Sequence, residues 1–280
     1  MDRGDAAELW PEALHLAHVI AVAHDATGGS VVSHESAGVV WGLPLYRHRP
    51  LRVHLTTSAP TRISSGRDVM RHVAPVPERD IVVRHGIRCT SLERTVFDMC
   101  RTLGAESAVA AADAGERQFA LRGRVWDEDA VGFWRRSMSD RVDAASGARG
   151  VRQARWVAAF ADGRAQLPGE SVSRLQLVRL GFMAPQLQVP VAGPTGQTYF
   201  VDFGLAEVRA FGEFDGKDRY LDVALRRGAP LDQVLLDEKR REDWIRGTTQ
   251  WRFARWSDEH SVTPAALAAR LASFGIRPPG

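Results

Sequence analysis

Between Tyr199 and Lys217 the chain reads YFVDFGLAEVRAFGEFDGK, two apolar runs of strand length interrupted by acids and closed by a lysine. Carboxylates set among Phe, Val and Gly cost free energy once their strands are buried, unless each finds a donor, a counter-charge or a cation. Side chains alternate across a strand. On that periodicity Tyr199, Val201, Phe203 and Leu205 share one face, with Phe200, Asp202 and Gly204 on the other. In the next run Val208, Ala210, Gly212 and Phe214 share a face, opposite Glu213, Asp215 and Lys217. Paired as a hairpin, the runs set Asp202 beside Glu213 or Asp215. Adjacent carboxylates repel and call for a cation. Oxygen ligands of this kind suit Mg2+, with Mn2+ as a substitute. Lys217 then stands where it can orient a water or steady charge on a phosphodiester. The alternative is a cross-strand salt bridge of Asp215, Lys217 and Asp218 around the turn, which leaves Asp202 without a role.

The flanking segments extend this pattern. LDQVLLDEKRREDWIRG reads as a helix whose apolar stripe carries Leu231, Val234, Leu235 and Ile245. Glu238, Arg241 and Glu242 fall within that stripe, whereas Arg240 points away. Charges on a buried helix face need partners. They either pair with one another or face a site, with Arg241 reaching a substrate phosphate and Glu238 orienting it. Upstream, ESVSRLQLVRLGF is a helix with Val172, Leu175, Val178 and Phe182 inward and Glu170 in its first turn, where the helix dipole favours an acid. PQLQVPV supplies a further strand and QWRFARWS a last one. The expected order is helix, strand, strand, strand, helix, strand.

A chain of 280 residues is long enough for two domains of ordinary size. The turn-rich DGRAQLPGE marks the change of character, giving expected domains at 1–162 and 163–280. The hydrophobic fraction of 44% and charged fraction of 25% are those of a soluble globular chain. No apolar run approaches the roughly 20 residues that span a bilayer. The opening MDRGDAAELWPEALHLAHVIAV has early acids and a broken apolar pattern, unlike a signal peptide, so the expected address is the cytoplasm, with no membrane partner. A net charge of +3, carried mostly by arginine, permits nucleic-acid binding without demanding it. Cys89 and Cys100 are too few for a zinc site or a disulfide scaffold and read as buried thiols.

The first half is helical and mixed α+β. A helix from about Ala6 to Ala23 is followed by SHESAGVVWGLPL, a short helix with Ser33 as N-cap. LRVHLTTS and DIVVRHGIRCT alternate as strands, and TSLERTVFDMCRTL opens with Thr90 and Glu93 at capping-box spacing. Arg149, Arg152 and Arg155 share a helix face that reads as solvated. His34 and Glu35 adjoin at a helix start, where capping and packing explain them. His15 and His18 have a metal-like spacing but no further ligands in sequence.

The Glu-bearing helix, Asp202 on one strand, Asp215-Gly216-Lys217 on the next and the charged helix together resemble the PD-(D/E)xK, or restriction-endonuclease-like, superfamily. GEFDGK, DEKRREDWIRG and WRFARW look more particularly like its very-short-patch-repair-endonuclease-like branch, over about Pro168 to Ser257. The resemblance implies an α/β fold of order α-β-β-β-α-β and a Mg2+-dependent DNA endonuclease or nickase. It makes Asp202 the central metal ligand, Glu213 or Asp215 the second acid and Lys217 the lysine. Glu170 becomes the accessory acid, and Glu238 and Arg241 the following-helix contacts. Val201 stands where the family usually has proline, and in the repair-like branch the acid corresponds to Glu213, with Asp215 in the lysine's place. SHESAGVVWGLPL, VHLTTS and IRCTSLERTVFDMCR resemble the AbiEi-type antitoxin domain of abortive-infection systems, without the winged helix-turn-helix that usually precedes it. That similarity implies a toxin or other phage-defence protein as partner. The competing expectation is an inactive DNA- or protein-binding antitoxin or transcriptional regulator on the same fold.

Overall fold

The turn-rich segment near Gly163 is where the chain passes from one body to another. The computed structural model describes residues 11–25, 29–58, 65–216 and 230–279, and it divides into two compact units, Met1–Gly163 and Arg164–Gly280. Both mix helices and sheet. Among the described residues no helix is long and apolar enough to cross a membrane.

In the first unit β1 (Val31–Val32) lies at the middle of a five-stranded sheet ordered β3–β2–β1–β5–β4. Its neighbours are β2 (Val53–Thr57), β3 (Val69–Val73), β4 (Ile81–Arg84) and β5 (Ile87–Thr90). The helices are α1 (Pro11–Asp25), α2 (His34–Trp41), α3 (Leu92–Thr102), α4 (Ala105–Ala120), α5 (Glu128–Ala144) and α6 (Val151–Phe160), with a two-stranded ribbon of β6 (Leu121–Arg122) and β7 (Val125–Trp126). Val96, Met99 and Cys100 on α3 are fully buried, as the helical spacing requires. Helix α4 packs closely on α3 because Gly115 has no side chain; a Cβ there would fall 2.5 Å from a Val96 methyl. The N-cap of α3 is Ser91, whose hydroxyl accepts from Arg94 N–H at 3.3 Å, one residue beyond the Thr90 that the capping-box spacing suggested. Thr90 instead bonds Thr95 side chain to side chain at 2.7 Å. Cys89 and Cys100 are free, buried thiols, and burial pushes Cys89 up to about 11. Arg155 meets Asp143 at 3.1 Å on an exposed surface.

The second unit is built on a four-stranded sheet ordered β11–β10–β9–β8: β8 (Gln186–Ala192), β9 (Thr198–Leu205), β10 (Ala210–Asp215) and β11 (Arg252–Ser257). Strands β8, β9 and β10 run antiparallel in turn, and β11 joins β10 in parallel. Helices α7 (Pro168–Arg179), α8 (Leu231–Thr249) and α9 (Pro264–Ala272) complete it. One core joins Leu177, Phe182, Phe203, Leu205, Phe214, Trp256, Leu267 and Leu271, so α7 and α9 cover the same face. Another joins Val191, Val201, Phe211, Ile245 and Phe253, so α8 covers the opposite face. Two glycines allow the close approach on the α7 side. A Cβ at Gly169 would fall 2.0 Å from the Phe214 ring, and one at Gly212 would fall 2.2 Å from Trp256.

Two expectations from periodicity change here. Val201 and Phe203 pack on opposite faces, not one. Opposite the point of change, Gln188 takes φ 51, while Leu187↔Phe203 and Val189↔Val201 pair on either side of it. That left-handed residue interrupts the regular alternation of the ladder, and Asp202 sits at the switch. On α8, Val234 and Ile245 are buried, but Leu235 is 44% exposed, because the stripe is narrowed to what the sheet can cover.

Candidate functional site

The acids of the second unit converge through backbone as much as through side chains. Asp202, on β9, is 6% exposed. Its Oδ2 accepts the Phe214 N–H at 2.9 Å, so it sits on β10 between Glu213 and Asp215. Its Oδ1 accepts from Gln188 Nε2 at 3.4 Å. Gln188 in turn accepts from Gln166 at 3.0 Å, and the Gln166 N–H donates to Glu170 at 2.8 Å. Glu170, 3% exposed, is brought to this end of the sheet by the contact of Gly169 with Phe214. Asp215, half-buried, ends β10. Lys217 and Asp218 lie outside the described residues.

Glu213 is the most enclosed of these acids, at 0% exposure, and it faces α8. Parallel register sets Arg255 of β11 directly beside it, with the guanidinium 3.0 Å from Oε2. Arg241 of α8 makes a short bond to Oε1. The same Arg241 donates to Glu238 at 2.8 Å and to the Phe200 carbonyl at 2.7 Å. Arg255 also contacts Glu238 and reaches Glu242 at 3.1 Å, and Glu242 takes Arg246 at 2.7 Å. Cation and anion alternate through the network, which is what buried charges need. Burial pushes the Glu213 carboxyl up, Asp202 adds to this, and Arg241 and Arg255 pull against it. Burial works against the Arg241 charge, but Glu213 outweighs it and raises that guanidinium above its ordinary value.

The fit of Mg2+ differs among the acids. Asp202 and Asp215 are hard oxygen donors of the right type. Glu213 fits poorly while two guanidinium groups already neutralise it. Arg241 spends three of its five N–H groups on these bonds, so contact with a phosphate would have to use those that remain. Periodicity found Glu238, Arg241 and Glu242 but missed Arg255, although the sequence carries a signal: in RFARWS, Arg255 shares its strand face with buried Phe253. Gln166 and Gln188 have no such signal.

Among the described residues, one group places three metal-ligating atoms within 4.8 Å of one another: His34, His54 and His72, in the first unit. By sequence, capping and packing account for His34 beside Glu35, and no spacing connects it with His54 or His72.

No family model matches the chain, and no solved structure does. Two uncharacterized proteins of Mycobacterium tuberculosis, from strains CDC 1551 and H37Rv, are each 30% identical over 176 residues. The match covers 59% of this chain and 59% of each relative, so the chain spans about three fifths of the curated relatives it matches.

Proposed function

We propose that the second unit is a metal-dependent phosphodiester hydrolase acting on DNA, an endonuclease or nickase of the restriction-endonuclease-like class. The observation that carries this reading is that acids from three elements flank Phe214 at the end of β10: Asp202 accepts its N–H, Glu170 adjoins the Gly169 that packs on its ring, and Asp215 follows it in the chain. Desolvating these carboxylates costs free energy that their bonds to the Phe214 and Gln166 N–H groups only partly offset. In this reading Asp202 and Asp215 hold Mg2+ or Mn2+, which would supply charge neutralisation at the phosphate and a more acidic water. Glu170 positions the approach, Lys217 steadies developing charge, and Glu213 with Arg255 fixes β10 against β11. That favours Asp215-Gly216-Lys217 as the working register. The cytoplasm is the proposed compartment, and the AbiEi-like first half would meet a toxin or defence-system partner.

A second reading is favoured by the saturation of Glu213 with two arginines: an inactive DNA- or protein-binding regulator in which the charges are structural. Supercoiled plasmid incubated with purified protein and Mg2+, Mn2+ or EDTA separates the two. The hydrolase nicks with either metal and stops in EDTA, and Asp202→Ala loses at least about 100-fold in rate, more than 2.7 kcal/mol of transition-state stabilisation. Cleavage that survives EDTA or that substitution overturns the hydrolase. DNA retained without cleavage supports the regulator.

A further inference from the structure

His34 opens α2, His54 lies on β2 and His72 on the adjacent parallel strand β3. Three features distinguish this cluster from histidines that merely pack together.

The first is spacing. His54 Nδ1 and His72 Nε2 are 3.2 Å apart, sharing one proton in a hydrogen bond that a metal ion would replace. Two nitrogens bound tetrahedrally to one ion at about 2.0–2.1 Å stand roughly 3.3 Å apart, so the pair already has the separation of coordinated ligands. The second is the engagement of the outward nitrogens. His54 Nε2 lies 3.5 Å from Glu35 Oε1, and the other oxygen of that carboxylate meets His48 at 2.9 Å. His34 Nδ1 lies 3.0 Å from the Ser33 hydroxyl, which accepts from Thr56 at 2.7 Å. A carboxylate behind His54 and a hydroxyl behind His34 are the kind of outer partners that orient metal-bound histidines. The third is how firmly the backbone holds the group. Ser33 N–H donates to His54 O at 3.0 Å, and His54 N–H donates to Ser36 Oγ at 2.8 Å. His34 takes φ 53, a left-handed conformation that costs a non-glycine residue of order 1 kcal/mol.

We propose that His34 Nε2, His54 Nδ1 and His72 Nε2 form a three-histidine site for a borderline transition-metal ion, Zn2+ in the first instance, with the fourth position left to water. Imidazole ligands select Zn2+ and its neighbours over Mg2+ or Ca2+. The rings are neutral at pH 7, since burial above all lowers His34 to about 2 and His54 to about 3. Arg52, Arg94 and Arg101 act on these rings and oppose a dication. Glu35, 7% exposed, is the counter-charge. Binding requires His34 to turn out of its stack on His72, whose ring centroids are 3.9 Å apart.

The test uses the full chain, without a histidine tag and stripped by chelator. Co2+ titration should give saturable visible bands of a four-coordinate ion at one equivalent, displaced by Zn2+ and absent from the His54→Gln/His72→Gln double variant. Glu35→Gln should weaken Zn2+ binding roughly 10–100-fold while leaving stoichiometry unchanged. X-ray absorption of the Zn2+ complex of the unaltered chain should count three imidazoles, a readout independent of whether any variant folds. No saturable Co2+ or Zn2+ binding by the unaltered chain overturns the site. So does an absorption spectrum with fewer than three imidazoles, or equal affinity in a folded double variant.

Discussion

The buried cluster around Glu213 and the histidine cluster around His54 solve the same problem in opposite ways. Around Glu213 charge is retained and neutralised: each carboxylate has a guanidinium, and each guanidinium has at least one carboxylate. Around His54 charge is avoided, with three neutral rings at close range and one carboxylate at the margin. The first arrangement is closed in this structure, since Arg241 and Arg255 occupy the positions a cation would take at Glu213. The second brings ring nitrogens together with one proton shared between His54 and His72, a position that a metal ion can take over. A non-glycine residue in the left-handed region, His34, belongs to the histidine cluster itself, whereas Gln188, also left-handed, bonds Asp202 and lies outside the network of Glu213. Metal-binding capacity therefore follows from what remains unneutralised, and the density of acids is a poor guide to it.

The sharpest way to break this comparison is to open the closed cluster. Arg241→Met removes one of the two cations on a fully buried carboxylate and should cost about 3–5 kcal/mol, seen as a large fall in melting temperature. If Arg241 instead serves a substrate phosphate, the same variant melts near the unaltered protein and loses cleavage by at least about tenfold. A melt and a plasmid assay on one preparation decide between these.

A second test exploits acid. His15 is 3% exposed with its Nε2 2.9 Å from Ser36 Oγ, and burial, then His18 and His48, push it down to about 4. Its folded value lies below its unfolded value of about 6.5, so the unfolded chain binds the extra proton first. Stability is complete above pH 6.5 and falls as pH drops towards 4, by up to about 3 kcal/mol from this group. His15→Gln, which keeps a partner for Ser36, should flatten the slope of melting temperature between pH 6.5 and 4. An unchanged slope assigns the acid loss elsewhere.

The smallest effect tests the strained residue beside Asp202. Gln188→Gly relieves the left-handed backbone, worth of order 1 kcal/mol, and loses one long and one exposed hydrogen bond. Stability should stay within about 1 kcal/mol of the unaltered protein. If Gln188 positions Asp202, plasmid nicking should nevertheless fall several-fold; unchanged nicking means that Gln188 does not position it.

Periodicity and composition alone established the order of elements in the second unit, since α7, β8, β9, β10, α8 and β11 follow one another as the patterns of apolar and turn residues require. They also singled out the acids in YFVDFGLAEVRAFGEFDGK and the charges at 238, 241 and 242, because local spacing fixes which residues of one helix or strand share a face. Those rules fail at Asp202, where the left-handed Gln188 of another strand interrupts the alternation and Val201 and Phe203 take opposite faces. Partner identity was likewise decided only in three dimensions. Arg255 reaches Glu213 because β11 joins β10 in parallel register, and His54 and His72 meet because β2 and β3 do the same. A hairpin such as β9–β10 is legible from its short connection, but parallel pairing joins strands far apart in the chain, and its register depends on packing across the whole sheet.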